Sequence, residues 1–314
     1  MPALESFMRR RPPPEALRWV ERAVGVGAHV TSVQRLRGGS STAIHAVNAV
    51  DRRGATHRLV LRRFDRDGWF AREPDTPERE ARVLELLAGS DVPAPELVAV
   101  DAEGNACDAP AVLMSRLPGR VVFAPADLDP WLRQMAEALP AIHAVDSRAA
   151  RLVQPYAPYY DMTKVEPPPW STQPKAWARA LDIVNGPPPE KADRFIHRDY
   201  HPGNVLWSRG RLTGVVDWIN ASWGPPGNDV AHCRANLVRL HGVEAADRFL
   251  TACRSLRVVD DGQAYWDLVS VMDMGSLGER DIFPGWLDAG LRHLTPSLIR
   301  ARLDEYVVSL VARL

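Results

Sequence analysis

The stretch Phe195-Ile196-His197-Arg198-Asp199-Tyr200-His201-Pro202-Gly203-Asn204-Val205-Leu206-Trp207, followed by Gly214-Val215-Val216-Asp217-Trp218, most narrowly restricts what this chain can become. An Asp followed five residues on by an Asn, with a second Asp ending the next apolar run, has the spacing of a phosphoryl-transfer loop and a metal-binding strand end. In that chemistry Asp199 accepts a hydrogen bond from an acceptor hydroxyl and aims its oxygen, while Asn204 and Asp217 hold divalent cations against phosphate oxygens. Amide and carboxylate oxygens suit a hard ion such as Mg2+. Val205-Leu206-Trp207, the turn at Ser208-Arg209-Gly210 and Leu212-Thr213-Gly214-Val215-Val216 predict a β-hairpin that returns Asp217 to the end where Asn204 lies. His197 is expected to brace the loop by hydrogen bonding, because the carboxylate two residues on already fills the role of base. Capping of a turn beside Pro-Gly explains any one of these residues, but not the combined spacing.

The set His197-x-Asp199-x-x-x-x-Asn204, Asp217 and Asp229 resembles the aminoglycoside phosphotransferase and choline kinase superfamily, relatives of the protein kinases. The resemblance implies a two-lobed, protein-kinase-like α/β (α+β) fold. Residues 1–115 would form a small β-rich N-lobe that binds nucleotide, and residues 116–314 a larger, mainly helical C-lobe with the catalytic loop, metal site and acceptor pocket. The implied activity is Mg2+-dependent transfer of the ATP γ-phosphate, with GTP as the alternative donor, to a hydroxyl of a small molecule: an aminoglycoside-like antibiotic, an amino alcohol or another hydroxylated metabolite. Leu206 and Val216 would line the nucleotide site, and Asp229 would cap its helix or brace the catalytic loop. A protein kinase places a long activation segment after its metal Asp; here Asp229 follows Asp217 closely and no Ala-Pro-Glu occurs, which argues against a protein substrate.

Ahead of this motif, Leu17 to Val30 has helical apolar spacing, and Arg35 to Val47 places Gly38-Gly39-Ser40-Ser41 between two extended runs. Glycine lets a backbone approach an anion and hydroxyls can donate to it, so this tip is a candidate phosphate loop, although a Gly-Gly turn is often only a turn. His57 to Phe64 reads as a strand whose alternation puts Val60 and Arg62 on one face and Leu59 and Leu61 on the other. Arg63, on the face opposite Arg62, is expected to tolerate substitution. Thr76 as N-cap and Pro77 at the first position open a helix that runs to Gly89. Glu80 shares its inner face with Val83, Leu84 and Leu87 and needs a cationic partner, for which Arg62 is the candidate. By resemblance, Arg62 stands where the superfamily carries a phosphate-contacting lysine, and Val60 would roof the adenine. Arg for Lys is a departure that keeps open a catalytically weak, nucleotide-binding regulatory pseudokinase. The lysines of this chain are Lys164, Lys175 and Lys191, so Arg is its habitual cation. Ala111 to Ser115 is an apolar strand running toward Pro118-Gly119; by resemblance it enters the hinge, with Met114, Ser115 and Arg116 at the adenine edge.

Asp129 as N-cap and Pro130 predict a further helix reaching toward Val145, with His143 as a packed core residue. Val153 to Pro189 is rich in Pro and aromatics and reads as a long irregular insertion, either the wall of an acceptor pocket built on Tyr159, Tyr160 and Trp170 or a surface loop. Asp273, Glu279 and Asp281 read as part of a mixed, solvated surface. At 314 residues and 46% apolar content the chain can bury a large core divided into two lobes. Its 39 basic and 39 acidic residues argue against a nucleic-acid or membrane-surface binder. No apolar segment follows Arg9-Arg10-Arg11 and none approaches transmembrane length, so a cytoplasmic protein is expected. Cys107, Cys233 and Cys253 lack metal-ligand spacing and an even count, and are expected as buried thiols. The acceptor and the oligomeric state stay open.

Overall fold

The computed structural model describes residues 7–36, 42–65, 73–190, 192–259, 262–274 and 282–314. The chain divides into two compact units, Met1–Pro118 with Gly214–Ile219, and Gly119–Thr213 with Asn220–Leu314. The candidate loop Gly38, Gly39, Ser40 and Ser41, and the acidic Glu279 and Asp281, lie outside the described residues.

In the first unit, β1 (His29–Arg35), β2 (Thr42–Val50), β3 (Thr56–Phe64), β4 (Leu97–Asp101) and β5 (Ala111–Ser115) form an antiparallel sheet of order β1-β2-β3-β5-β4. Between β2 and β3, Asp51 Oδ1 accepts from the amides of Arg53 and Ala55 and closes the turn. The alternation of β3 separates two environments. Leu59 and Leu61 enter a core with Ala16, Trp19 and Val20 of the helix Pro14–Val24, joined by Val47 and Leu113. On the other face Arg62 meets the helix Thr76–Leu87, whose buried side includes Glu80, Val83, Leu84 and Leu87.

Three details differ from the sequence reading. The helix expected over Leu17 to Val30 is Pro14–Val24, closed by Gly25, and His29 and Val30 open β1. The cap of the helix Thr76–Leu87 is Asp75, not Thr76; Thr76 is already helical, buried, and turns its hydroxyl back to Glu73 O at 2.6 Å. Arg63 is a buried anchor, fully shielded from solvent, with its guanidinium paired to Asp108, bonded to Arg10 O at 3.1 Å and lying over the Phe7 ring.

The second unit is mainly helical and is built around the helix Gly227–His241, against which Val243–Ser255, Gln263–Asp273 and Pro296–Val311 pack. Val230, Ala231, Cys233, Ala235, Leu237 and Val238 are buried along that helix, which has no exposed residue, as an internal helix requires. Its Arg234 is fully buried and matched by Asp267, Asp247 and the Ala246 carbonyl. Short strands frame the loops: β6 (Arg120–Val121) beside β9 (Val205–Ser208), itself beside β10 (Arg211–Val215), and β11 (Ser222–Gly224) between β7 (Gln154–Pro155) and β8 (Arg194–Ile196). Arg209 and Gly210 join β9 to β10 with φ of 51° and 73°, the left-handed pair that a two-residue hairpin demands.

The helix Leu128–His143 begins earlier than expected, with Asp127 rather than Asp129 as cap, and it contains Pro140. The segment expected to be irregular holds the helix Pro174–Val184, which buries Trp177, Ala180, Leu181 and Val184 and anchors Trp177 Nε1 to Asp304 at 2.7 Å. Cys107, Cys233 and Cys253 are free and buried, and burial pushes the Cys107 thiol up to about 12. Among the described residues no helix is long and apolar enough to cross a membrane.

Candidate active site

In the second unit the loop after β8 is pinned from beneath by Asp229. This carboxylate has no solvent exposure; Oδ2 accepts from the His197 amide at 3.0 Å and Oδ1 from the Arg198 amide at 2.6 Å. His143 Nε2 lies 3.0 Å from the same Oδ2. Asp229 thus holds two amides of this loop, and His143 is its buried partner as well as a core residue. His197 is fully buried, and its Nδ1 lies 3.3 Å from the Asp199 amide. Arg198 adopts φ 68°, a left-handed backbone that costs a non-glycine residue about 1–2 kcal/mol. Its guanidinium centre stacks 3.8 Å from the centroid of the Tyr159 ring, and it donates to Ala157 O.

The Asp199 side chain is 27% exposed. Asn204 Nδ2 donates to Asp199 Oδ2 at 3.1 Å and to its carbonyl at 2.9 Å, and His232 Nε2 lies 3.0 Å from Oδ1. Burial works to raise the pKa of Asp199, yet the electrostatic pull of His201, the hydrogen bond and pull of His232, and His197 hold the carboxyl well below the usual carboxylate range. Asp199 is therefore an ionised acceptor suited to orienting a hydroxyl. Gly203 is demanded by a close approach: a Cβ there would stand 2.5 Å from His201 Cε1. Tyr200 is buried and ties the loop to Met135 O at 2.7 Å.

In the first unit Arg62 Nη1 lies 2.8 Å from Glu80 Oε1 and 2.8 Å from Asp217 Oδ1, and Nε donates to Thr42 Oγ1 at 3.1 Å. Burial opposes the Arg62 charge, but Asp217 and Glu80 more than offset it and push its pKa above the ordinary value. Burial also raises the Glu80 pKa, against the pull of Arg62. Asp217 has φ 69° and a side chain 31% exposed. Val60 pairs with Ala46 and Met114 across the sheet. The amides of Ser115 and Arg116 are taken by Glu96 O at 2.8 Å and Arg58 O at 2.9 Å. Val216, next to Asp217, is half-buried, as is Leu206 on β9 of the second unit.

Tyr159 and Tyr160 are 46% and 50% exposed, and Asp273 accepts from both of their amides. Trp170 packs edge-on to Trp177 with Arg300 over its ring. Sequence reasoning missed His201, His232 and the tie from Asp273. Only His232 left a signal: it follows Asp229 by three residues on one helix and shares its face.

The sequence model of the phosphotransferase enzyme family (APH) matches residues 32–268. Acyl-CoA dehydrogenase family member 10 of Mus musculus is 25% identical over 232 residues, 66% of this chain and 21% of that protein, so the chain spans about a fifth of the length of the curated relative it matches. A thermostable mutant of aminoglycoside phosphotransferase APH(4)-Ia, solved in ternary complex with AMP-PNP and hygromycin B, superposes with a TM-score of 0.61 at 18% identity, covering 95% of this chain and 99% of that one. Macrolide 2'-phosphotransferase MphH from Brachybacterium faecium gives 0.55 at 19% identity, covering 95% of this chain and 98% of that one. These likenesses establish the kinase-like α+β fold. With the family model matched over most of its length, the chain belongs to the phosphotransferase enzyme family.

Proposed function

We propose that the chain transfers the γ-phosphate of ATP to a hydroxyl of a small molecule. The observation that carries this reading is an ionised Asp199 fixed against Asn204 on a loop whose backbone Asp229 holds. Asp199 accepts the hydrogen bond of the acceptor hydroxyl and points its lone pair at phosphorus, the positioning role on which phosphoryl transfer depends. Asn204 turns its amide nitrogen to Asp199, which presents its amide oxygen to a cation; Asp217 uses one carboxylate oxygen for Arg62 and keeps the other. Amide and carboxylate oxygens are donors of the kind that suit Mg2+, which when bound would offset the charge of the phosphate oxygens. The residue boundaries 1–115 and 116–314 serve this reading as nucleotide and acceptor lobes. The neighbour carrying AMP-PNP and hygromycin B supports a nucleotide donor and a small-molecule acceptor rather than a peptide.

A second reading is a nucleotide-binding regulatory protein without turnover, favoured by the ion pair that Arg62 makes with Asp217. The discriminating experiment offers aminoglycosides, macrolides, amino alcohols and sugars with ATP and Mg2+, and follows the mass of each acceptor for the gain of one phosphoryl group. Asp199→Asn is expected to abolish the gain while Mg2+-dependent nucleotide affinity persists; Asp217→Asn should weaken that affinity too. Nucleotide binding without any modified acceptor would favour the regulatory reading.

A further inference from the structure

The first turns of the helix Gly227–His241 support the catalytic loop twice. Asp229 takes the backbone amides of His197 and Arg198, and His232, on the same face, reaches the side chain of Asp199. The Asp199 carboxylate is thereby gripped at both ends, with His232 Nε2 at 3.0 Å from Oδ1 and Asn204 Nδ2 at 3.1 Å from Oδ2. Rotation about the bond that carries the carboxylate would break both contacts. His201 contributes differently, since its Nε2 stands 3.7 Å from Oδ1, beyond hydrogen-bond reach.

Asp199, His201 and His232 bring their ligand atoms within 4.8 Å of one another, a spacing that also invites a metal reading. The tautomer of His201 argues against it. His201 Nδ1 accepts from the Gly203 amide at 3.0 Å, so in the neutral ring the proton sits on Nε2, the nitrogen that faces Asp199. A ring bonded this way donates toward a carboxylate and has no lone pair there for a metal ion.

We propose that His232 is a positioning residue: its Nε2–H holds the plane of the Asp199 carboxylate so that the remaining lone pairs meet the acceptor hydroxyl in line with phosphorus. The inference rests on the phosphotransfer reading above. Nothing in it requires a change in the protonation of His232. The imidazole acts as a hydrogen-bond donor whose place is set by a buried helix.

The test compares His232→Ala with His232→Gln, whose amide nitrogen reproduces the reach of Nε2. Release of inorganic phosphate from Mg2+-ATP, with water as acceptor, supplies kcat and the KM for ATP without knowledge of the natural acceptor. His232→Ala should lower kcat about tenfold or more with the KM for ATP within about twofold, and His232→Gln should recover most of the loss. Wild-type kcat in His232→Ala, or equal losses in Ala and Gln, would overturn the proposal. Nitrogen-15 NMR of the imidazoles gives a readout independent of activity. His232 should appear as the Nε2–H tautomer, with a resonance that moves in Asp199→Ala; an unmoved resonance refutes the contact. A wild-type chain that neither hydrolyses ATP nor modifies any acceptor would count against the phosphotransfer reading instead, and the NMR result would still decide the contact.

Discussion

Arg62 Nη1 lies 2.8 Å from Glu80 Oε1 and 2.8 Å from Asp217 Oδ1, so one guanidinium nitrogen serves two carboxylates. Removing it as Arg62→Ala leaves both acids facing a site with no cation. The expected loss is on the order of 3 kcal/mol of stability, read as a lower urea midpoint. Arg62→Lys should recover part of it, because the charge returns but the Nε donor to Thr42 does not. An unchanged midpoint in Arg62→Ala would mean that the pair is not formed in solution.

Arg63 offers the contrasting case. It is fully buried and leaves Asp108 and the Arg10 carbonyl without their partner when truncated. Arg63→Ala should cost on the order of 3 kcal/mol while Mg2+-nucleotide affinity of the folded fraction stays close to wild type. Differential scanning calorimetry paired with nucleotide titration separates the two effects, and a loss of affinity at normal stability would contradict this assignment.

His45 sets a pH dependence. It is buried beside Arg63, its Nδ1 has no hydrogen-bond partner among the described residues, and its pKa is lowered to about 4, first by burial and then by the charges of Arg63 and Arg35. In the unfolded chain His45 protonates near its ordinary value of 6.5. Between those values the unfolded state binds the extra proton, so stability should fall as pH drops from 6.5 toward 4. The drop should be about 2 kcal/mol and should flatten in His45→Gln. Urea midpoints measured across that range check it; parallel curves for both proteins would show that His45 does not contribute.

Tyr159 and Trp170 should part company. Tyr159 is half exposed and stacks on Arg198, the sequence neighbour of Asp199, so Tyr159→Ala should raise the KM for any accepted hydroxyl substrate about tenfold with little change for ATP. Trp170 packs on Trp177, and Trp170→Ala should instead cost about 1 kcal/mol of stability and leave acceptor kinetics alone. Equal kinetic effects of the two substitutions would restore the idea of one continuous pocket.

The parts of the site that were legible in the sequence are those written in local spacing. His197, Asp199 and Asn204 lie within one loop, and the Arg62–Glu80 pair follows from strand alternation meeting a helix face. Contacts set by tertiary packing left no such mark. Asp108 lies 45 residues from Arg63, and nothing in the strand pattern announces that a second arginine is buried. The caps moved by one or two residues because Thr76 and Asp129 sit beside another candidate, and only backbone geometry decides between neighbours. The prolines between Val153 and Pro189 masked the helix Pro174–Val184, in which Pro174 is a favourable first residue rather than a breaker.

The brace at Asp229 also imposes an order on how the site comes into being. The His197 amide emerges during synthesis 32 residues before the carboxylate that will receive it. Until Asp229 has arrived and its helix has docked, the amides of His197 and Arg198 lack the carboxylate that receives them. The geometry of this loop thus depends on a carboxylate that follows it in the chain: a nascent chain carries His197, Asp199 and Asn204 before it carries the Asp229 that holds their loop.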